Sequence, residues 1–156
     1  IYDSWRPIEV QEFMFKRAFS LECKRLDIVA SVNDIEEYPL VQKKVEKYWA
    51  YPSFDERCPP PHSTGGALDI TLADKLGNII DMGGDIDQMD EKSNPDFYKN
   101  IEDEYAIIWN ERRNLLREIM SKFGFVQHPN EWWHFSYGDQ LWAWKNKKTN
   151  ALYGKI

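Results

Sequence analysis

The stretch Pro59-Pro60-Pro61-His62-Ser63-Thr64-Gly65-Gly66-Ala67-Leu68-Asp69 decides how this chain reads. The prolines favour an extended backbone and stiffen the approach to His62. The two glycines lack Cβ, so the chain can turn sharply there and come close to another group. Ala67 to Leu72 then reads as a mostly buried strand, in which Asp69 is costly unless it is paired or bound to a metal. A fixed imidazole, a turn and a buried carboxylate make half of a metal site. The other half must come from elsewhere in the chain.

Upstream, Ile1 to Trp5 reads as the end of a strand, which Arg6-Pro7 leaves. From Glu9 to about Leu26 the pattern is helical, with Val10, Phe13, Met14, Ala18 and Leu21 on one face. Ser31 to Tyr38 is loop-like, and Pro39 suits the first position of a second helix carrying Val41, Val45, Tyr48 and Trp49. Downstream, Leu76-Gly77-Asn78 reads as a turn into a return strand over 79–82, followed by a long acidic loop, Gly83 to Pro95. A strong helix runs from Ile101 through Met120, with Tyr105, Ile108, Trp109, Arg112, Leu115, Leu116 and Ile119 in its stripe, and Gly124 stops it. Phe125-Val126 begins a strand that resumes over Trp132 to Tyr137, and Gly138-Asp139 suits a hairpin turn into a last strand, Leu141 to Trp144. Helices come first and strands carry the later part, so the class is α+β.

The composition bounds the function. With 156 residues, 42% hydrophobic and 15% aromatic, the chain is one folded domain with a sizeable core. A net charge of −6 without a dense Lys/Arg block argues against nucleic acid or an anionic membrane as the main partner. No apolar run approaches the length of a membrane span. Cys23 and Cys58 are too few for a disulfide framework; they are free thiols or one bridge, and the rarity of cytosolic disulfides favours thiols. The chain starts at Ile1 without methionine, as a mature or truncated product would, so the lack of a signal peptide says little about targeting.

Glu131-Trp132-Trp133-His134-Phe135 offers the second half of the site. His134 can be a third ligand and Glu131 an acid/base group beside it. Two imidazoles and one carboxylate leave a tetrahedral zinc with one open position for water, the catalytic arrangement. The attack would build an oxyanion, which needs a donor or cation, and Arg6 could fill that role if the fold brings it over the metal. Taken singly, His-x6-Asp and Glu-x2-His are weak signals, and a buried His or Asp is more often a hydrogen-bonded structural group. Their combination carries more, because one of only three histidines falls in each half-site. There is no His-Glu-x-x-His helix, so ordinary zincin geometry is out. Asp81, Asp85, Asp87, Asp90 and Glu91 lack the EF-hand offsets and read as a solvated loop face. His128, followed by Pro129, reads as a surface histidine. Trp132, Trp133, Trp142 and Trp144 read as core and rim packing, with Trp133 also available to wall the pocket.

In order along the chain, Asp3-Ser4-Trp5-Arg6-Pro7, Pro61 through Leu72, Met82-Gly83 through Asp87, and Glu131-Trp132-Trp133-His134-Phe135 resemble the zinc D-alanyl-D-alanine dipeptidases. The wider group includes D,D-carboxypeptidases and the zinc-containing Hedgehog domain. The resemblance implies an antiparallel sheet with helices packed on one side and hydrolysis of the D-alanyl-D-alanine dipeptide to D-alanine. It implies one zinc ion on His62, Asp69 and His134, with Glu131 as the catalytic base. It further implies that Arg6 polarises the scissile carbonyl and that Asp87 binds the substrate's amino group. Family members carry a segment before the Trp-Arg-Pro motif, so a removed or separate N-terminal piece is an expected partner beside the dipeptide. The alternatives are a D,D-carboxypeptidase or muropeptide endopeptidase, and a non-catalytic zinc-containing binding module, against which Glu131 and Arg6 count. The expected compartment is cytoplasmic, or else periplasmic or secreted.

Overall fold

The computed structural model describes all residues, Ile1–Ile156. Two hydrophobic cores organise it, and the site lies between them. The first core is built by α1 (Ile8–Arg25) and α2 (Pro39–Val45), packed through Phe15, Ala18, Phe19, Cys23, Val41, Val45 and Trp49. Pro39 opens α2 as expected, because its missing N–H is not needed at the first helical position. The buried face of α1 differs from the expected stripe. Phe15 and Phe19 point inward, while Val10, Phe13 and Leu21 are exposed. The aromatic pair, with more area to remove from water, sets the rotation of the helix.

The second core contains Met82, Leu116, Met120, Trp132, Trp133 and Phe135. It lies under α3 (Glu104–Lys122), which begins later than the Ile101 start expected, where the Asp103 carboxylate accepts from the N–H groups of Tyr105 and Ala106. Its buried side chains are Ala106, Arg113, Leu116 and Met120, whereas Tyr105, Leu115 and Ile119 face solvent.

A small antiparallel sheet joins β1 (Ala67–Asp69), β2 (Val126–Gln127) and β3 (His134–Ser136) in the order β1-β3-β2. The strands are shorter than the apolar runs suggested. Ile1 to Trp5 contributes only an Asp3–Asp69 bridge, and the hairpin over 72–80 reduces to an Ala73–Ile79 bridge with its neighbouring Ile80–Leu72 hydrogen bond. The last expected strand is a helix, α4 (Gln140–Lys145): the Asp139 carboxylate accepts from Trp142 N–H and starts a helical turn instead of a hairpin. Trp144 is consequently exposed. Both cysteines are free thiols, Cys23 buried and Cys58 exposed. No helix is long and apolar enough to cross a membrane.

Candidate metal centre and active site

His62, Asp69 and His134 converge. The proline run leads into a short 3-10 turn, Pro61–Thr64, which carries His62 and ends at Gly65 with φ 70°. At Gly66 an added Cβ would sit 2.7 Å from the Tyr137 carbonyl oxygen, so only glycine lets this chain run against β3. That approach delivers β1, where Asp69 pairs directly with His134 across the sheet. Side chains on facing residues of an antiparallel pair lie on the same face, which brings the carboxylate and the imidazole together.

The three side chains form a triangle of potential ligands, one atom from each lying within 4.8 Å of the others. His62 Nε2 is 3.2 Å from Asp69 Oδ2, His134 Nδ1 is 3.1 Å from Asp69 Oδ1, and the two ring nitrogens are 3.2 Å apart. Ligands at about 2.0–2.1 Å in a tetrahedral zinc site lie about 3.3–3.4 Å from one another, close to these separations, with the two rings approaching different oxygens of the Asp69 carboxylate. The outer hydrogen bonds fit as well. His62 Nδ1 donates to the Ser4 carbonyl at 2.8 Å, and His134 Nε2 lies 3.3 Å from Ser136 Oγ. Both outer ring nitrogens thus have partners of their own, and the inner nitrogens face Asp69 and each other. Asp69 Oδ1 is buried without a directed hydrogen bond. Three buried electron-pair donors aimed at one point call for a cation. Burial would raise Asp69, but the imidazoles of His134 and His62 overcome it and hold the carboxyl well below the usual carboxylate range.

Glu131 and Arg6 stand beside this triangle, both buried. Glu131 accepts no hydrogen bond; its nearest polar neighbours are His134 Nδ1 at 3.6 Å and His128 Nδ1 at 3.7 Å. Burial first, then the charges of Asp69 and Asp87, push its pKa well up, with Arg6 opposing. A carboxyl shifted in that direction is suited to carry a proton near neutral pH. Arg6 Nε and Nη2 donate to Asp3 Oδ2 at 2.8 and 2.5 Å, and Nη1 donates to Gln11 Oε1 at 2.7 Å. Its Nη2 is 3.8 Å from Asp69 Oδ2, and the guanidinium lies 5.4 Å over the Trp49 ring. Three of its five N–H groups are thus occupied, leaving two for a ligand beside Asp69. Arg6 is 5% exposed, so it is no plain surface arginine.

A narrow cavity unites these groups, lined also by Tyr48, Trp49, Pro61, His128, Trp133 and Asp87. Asp87 is exposed at its rim and held at φ 65°, a conformation that few side chains adopt. The cavity walls strip water from its carboxyl, and with the charges of Asp69 and Asp3 they push its pKa up to about 6, against Arg6. The other acidic loop residues, Asp81, Asp85, Asp90 and Glu91, are exposed as expected.

His128 corrects the surface assignment. It is half-buried, its ring centroid 5.4 Å from that of His134, and desolvation with the nearby His134 pulls its pKa down to about 3. The residue pattern also missed Asp3, Gln11 and Tyr48. Gln11 had a usable signal: it is a polar residue in register with Phe15 and Ala18 on the buried face of α1, and it anchors to the Ala50 carbonyl at 2.6 Å. A polar side chain held inside an apolar stripe needs a partner there.

The peptidase M15 family, described as D-ala-D-ala dipeptidase, matches residues 1–151. A D-alanyl-D-alanine dipeptidase from Synechocystis sp. is 41% identical over 166 aligned residues, covering 100% of this chain and 66% of the relative. The D-alanyl-D-alanine dipeptidase of Escherichia coli is 42% identical over 74 residues, 47% of this chain and 36% of its own length. That of Enterococcus faecalis is 36% identical over 80 residues, 51% of this chain and 37% of its own. The chain therefore spans just under two thirds of the Synechocystis protein, and the other matches cover little more than a third of theirs.

Proposed function

The chain belongs to the peptidase M15 family of D-ala-D-ala dipeptidases, and from that premise we propose that it hydrolyses the D-alanyl-D-alanine dipeptide to D-alanine with one zinc ion on His62, Asp69 and His134. The observation that carries the proposal is the inward-facing triangle of His62, Asp69 and His134 with Glu131 unbonded beside it. Two imidazoles and a carboxylate suit zinc better than the harder oxygen-seeking ions. When bound, the metal supplies Lewis acidity and acidifies water.

This chain's residues do the rest. The Glu131 carboxylate takes a proton from the attacking water and returns it to the leaving amine nitrogen, so one group serves as base and then as acid. The two unused N–H groups of Arg6 donate to the carbonyl oxygen as it gains negative charge. Asp3, Gln11 and Trp49 hold the guanidinium in place beforehand, so little ordering remains during the reaction. Asp87 accepts from the substrate ammonium, whose arrival favours the ionised carboxylate and reverses the upward pKa shift. A blocked N-terminus would leave that carboxylate unpaired, so the site should prefer a free dipeptide over a longer cell-wall peptide.

Metal content and D-alanine release, measured together on purified protein, test the reading. Expected are about one zinc per chain, loss of turnover with a chelator and recovery when zinc returns. Turnover that persists in metal-free protein would overturn it.

A further inference from the structure

Arg113 is a fully buried cation outside the site. It projects from α3 with 0% of its surface exposed, no carboxylate lies within salt-bridge distance of it, and its Nη2 has no hydrogen-bond partner. Instead it donates to three backbone carbonyls at the two ends of the acidic loop. Nε reaches Met82 O at 2.8 Å, while Nη1 reaches both Lys92 O and Asn94 O at 2.9 Å. Its guanidinium lies over two rings, 4.8 Å from the Tyr98 centroid and 5.2 Å from that of Trp132. Desolvation draws its pKa down to about 10, so it remains a cation at neutral pH.

A buried cation with no carboxylate in direct contact is costly, since Asp81 acts on it only at longer range, and core packing alone would be met more cheaply by an apolar residue. What the guanidinium offers is a rigid fork that can grip several carbonyls at once, which neither methionine nor lysine reproduces. Everything it grips belongs to one segment, 82–94, with Asp87 near its middle at φ 65°. The segment's other ties lead to the same place. The Tyr98 hydroxyl donates to Gly83 O, and Trp132 N–H donates to Ser93 O at 2.9 Å, next to Glu131.

We propose that Arg113 is a positioning residue that closes the 82–94 loop at both ends and so sets the place of the Asp87 carboxylate at the pocket rim. This inference rests on the reading of Asp87 as the acceptor of the substrate amine. Arg113 touches no reacting atom, and its effect is felt in substrate capture.

Steady-state hydrolysis of D-alanyl-D-alanine by the zinc-loaded protein tests it. Arg113→Lys keeps the charge and loses the fork. Its KM should rise about tenfold while kcat stays within about twofold, the mark of lost binding shared by ground and transition states. Asp87→Asn alone should raise KM similarly, and Arg113→Lys added to Asp87→Asn should change KM little more, since residues acting through one contact are not additive. If the two effects multiply, or Arg113→Lys leaves KM unchanged while Asp87→Asn raises it, the inference is overturned and the amine reading survives. If Asp87→Asn leaves KM unchanged, the amine reading fails and takes the inference with it. Should Arg113→Lys not fold, Gly84→Ala replaces it, because its Cβ would lie 2.9 Å from Gln88 Oε1 and 3.3 Å from Arg113 Nη2. The same non-additivity with Asp87→Asn is expected, at smaller size, and its absence would be equally decisive.

Discussion

Replacing Glu131 by glutamine removes the ionisable carboxyl and almost nothing else. The carboxylate takes no hydrogen bond, and its closest polar contacts, 3.6 Å to His134 Nδ1 and 3.7 Å to His128 Nδ1, are too long to be lost as bonds. The side chain is 6% exposed, and glutamine has its shape, so the packing around Trp132 and Trp133 is kept. Folding and metal binding should therefore survive, since the inward triangle does not include Glu131. Turnover should not. Removing a general base typically costs about 10²- to 10⁴-fold, a barrier increase of about 3–5.5 kcal/mol. The assay is D-alanine release from the dipeptide at saturating substrate, with zinc content and thermal unfolding measured on the same preparation. Wild-type turnover at full zinc occupancy would refute the assignment of Glu131 as base. Loss of zinc along with turnover would refute it differently, by making Glu131 a ligand and closing the coordination position that catalysis needs.

Two further outcomes test the surroundings of the site. Gln11→Ala should lower kcat about tenfold by freeing the Arg6 guanidinium, and should cost about 1–3 kcal/mol in urea unfolding because a buried charged hydrogen bond is broken. Normal kcat in a destabilised variant would show that Gln11 only supports the fold. Glu22 tests the first core: it is buried where α1 meets α2 and takes both Arg25 Nη2 at 2.6 Å and Lys44 Nζ at 2.7 Å. Its hydrogen bond from Arg25, with Lys44 adding, holds its pKa below the usual value. A lowered folded pKa gives stability that is present above about pH 4.5 and lost as pH falls through the folded value. Glu22→Gln should thus flatten the acid side of a stability-against-pH curve below that point, and an unchanged slope there would contradict the pairing.

Much of the site could be read in the sequence because its chemistry sits in compact motifs. His62, Asp69, Glu131 and His134 are each a weak signal alone, but together they pair two half-sites, and the fold brings all of them to one cavity. Their supports were harder to see. Asp3, Gln11, Tyr48 and His128 have ordinary roles elsewhere in proteins, and only tertiary contacts turn them toward the site. Elements failed where local rules competed. Leu141-Trp142-Ala143-Trp144 is apolar enough for a strand, yet the Asp139 cap favours a helical turn there. The run through Leu72 is apolar enough for a longer strand, but β3 offers only three paired residues. On α1 the i, i+3, i+4 spacing of Val10, Phe13 and Leu21 points to one face, whereas Phe15 and Phe19 fill the first core and turn those three outward.

The pairing of Asp69 with His134 reaches beyond catalysis. Side chains alternate along a strand, so a slip of one residue between β1 and β3 would point one of these groups to the opposite side of the sheet. A three-residue ladder has few hydrogen bonds with which to resist such a slip. An ion that needs both groups at once binds only the correctly threaded chain, and its binding free energy then favours that threading over its neighbours. The metal would act as a gauge of alignment, and assembling the sheet and loading the enzyme would be a single event.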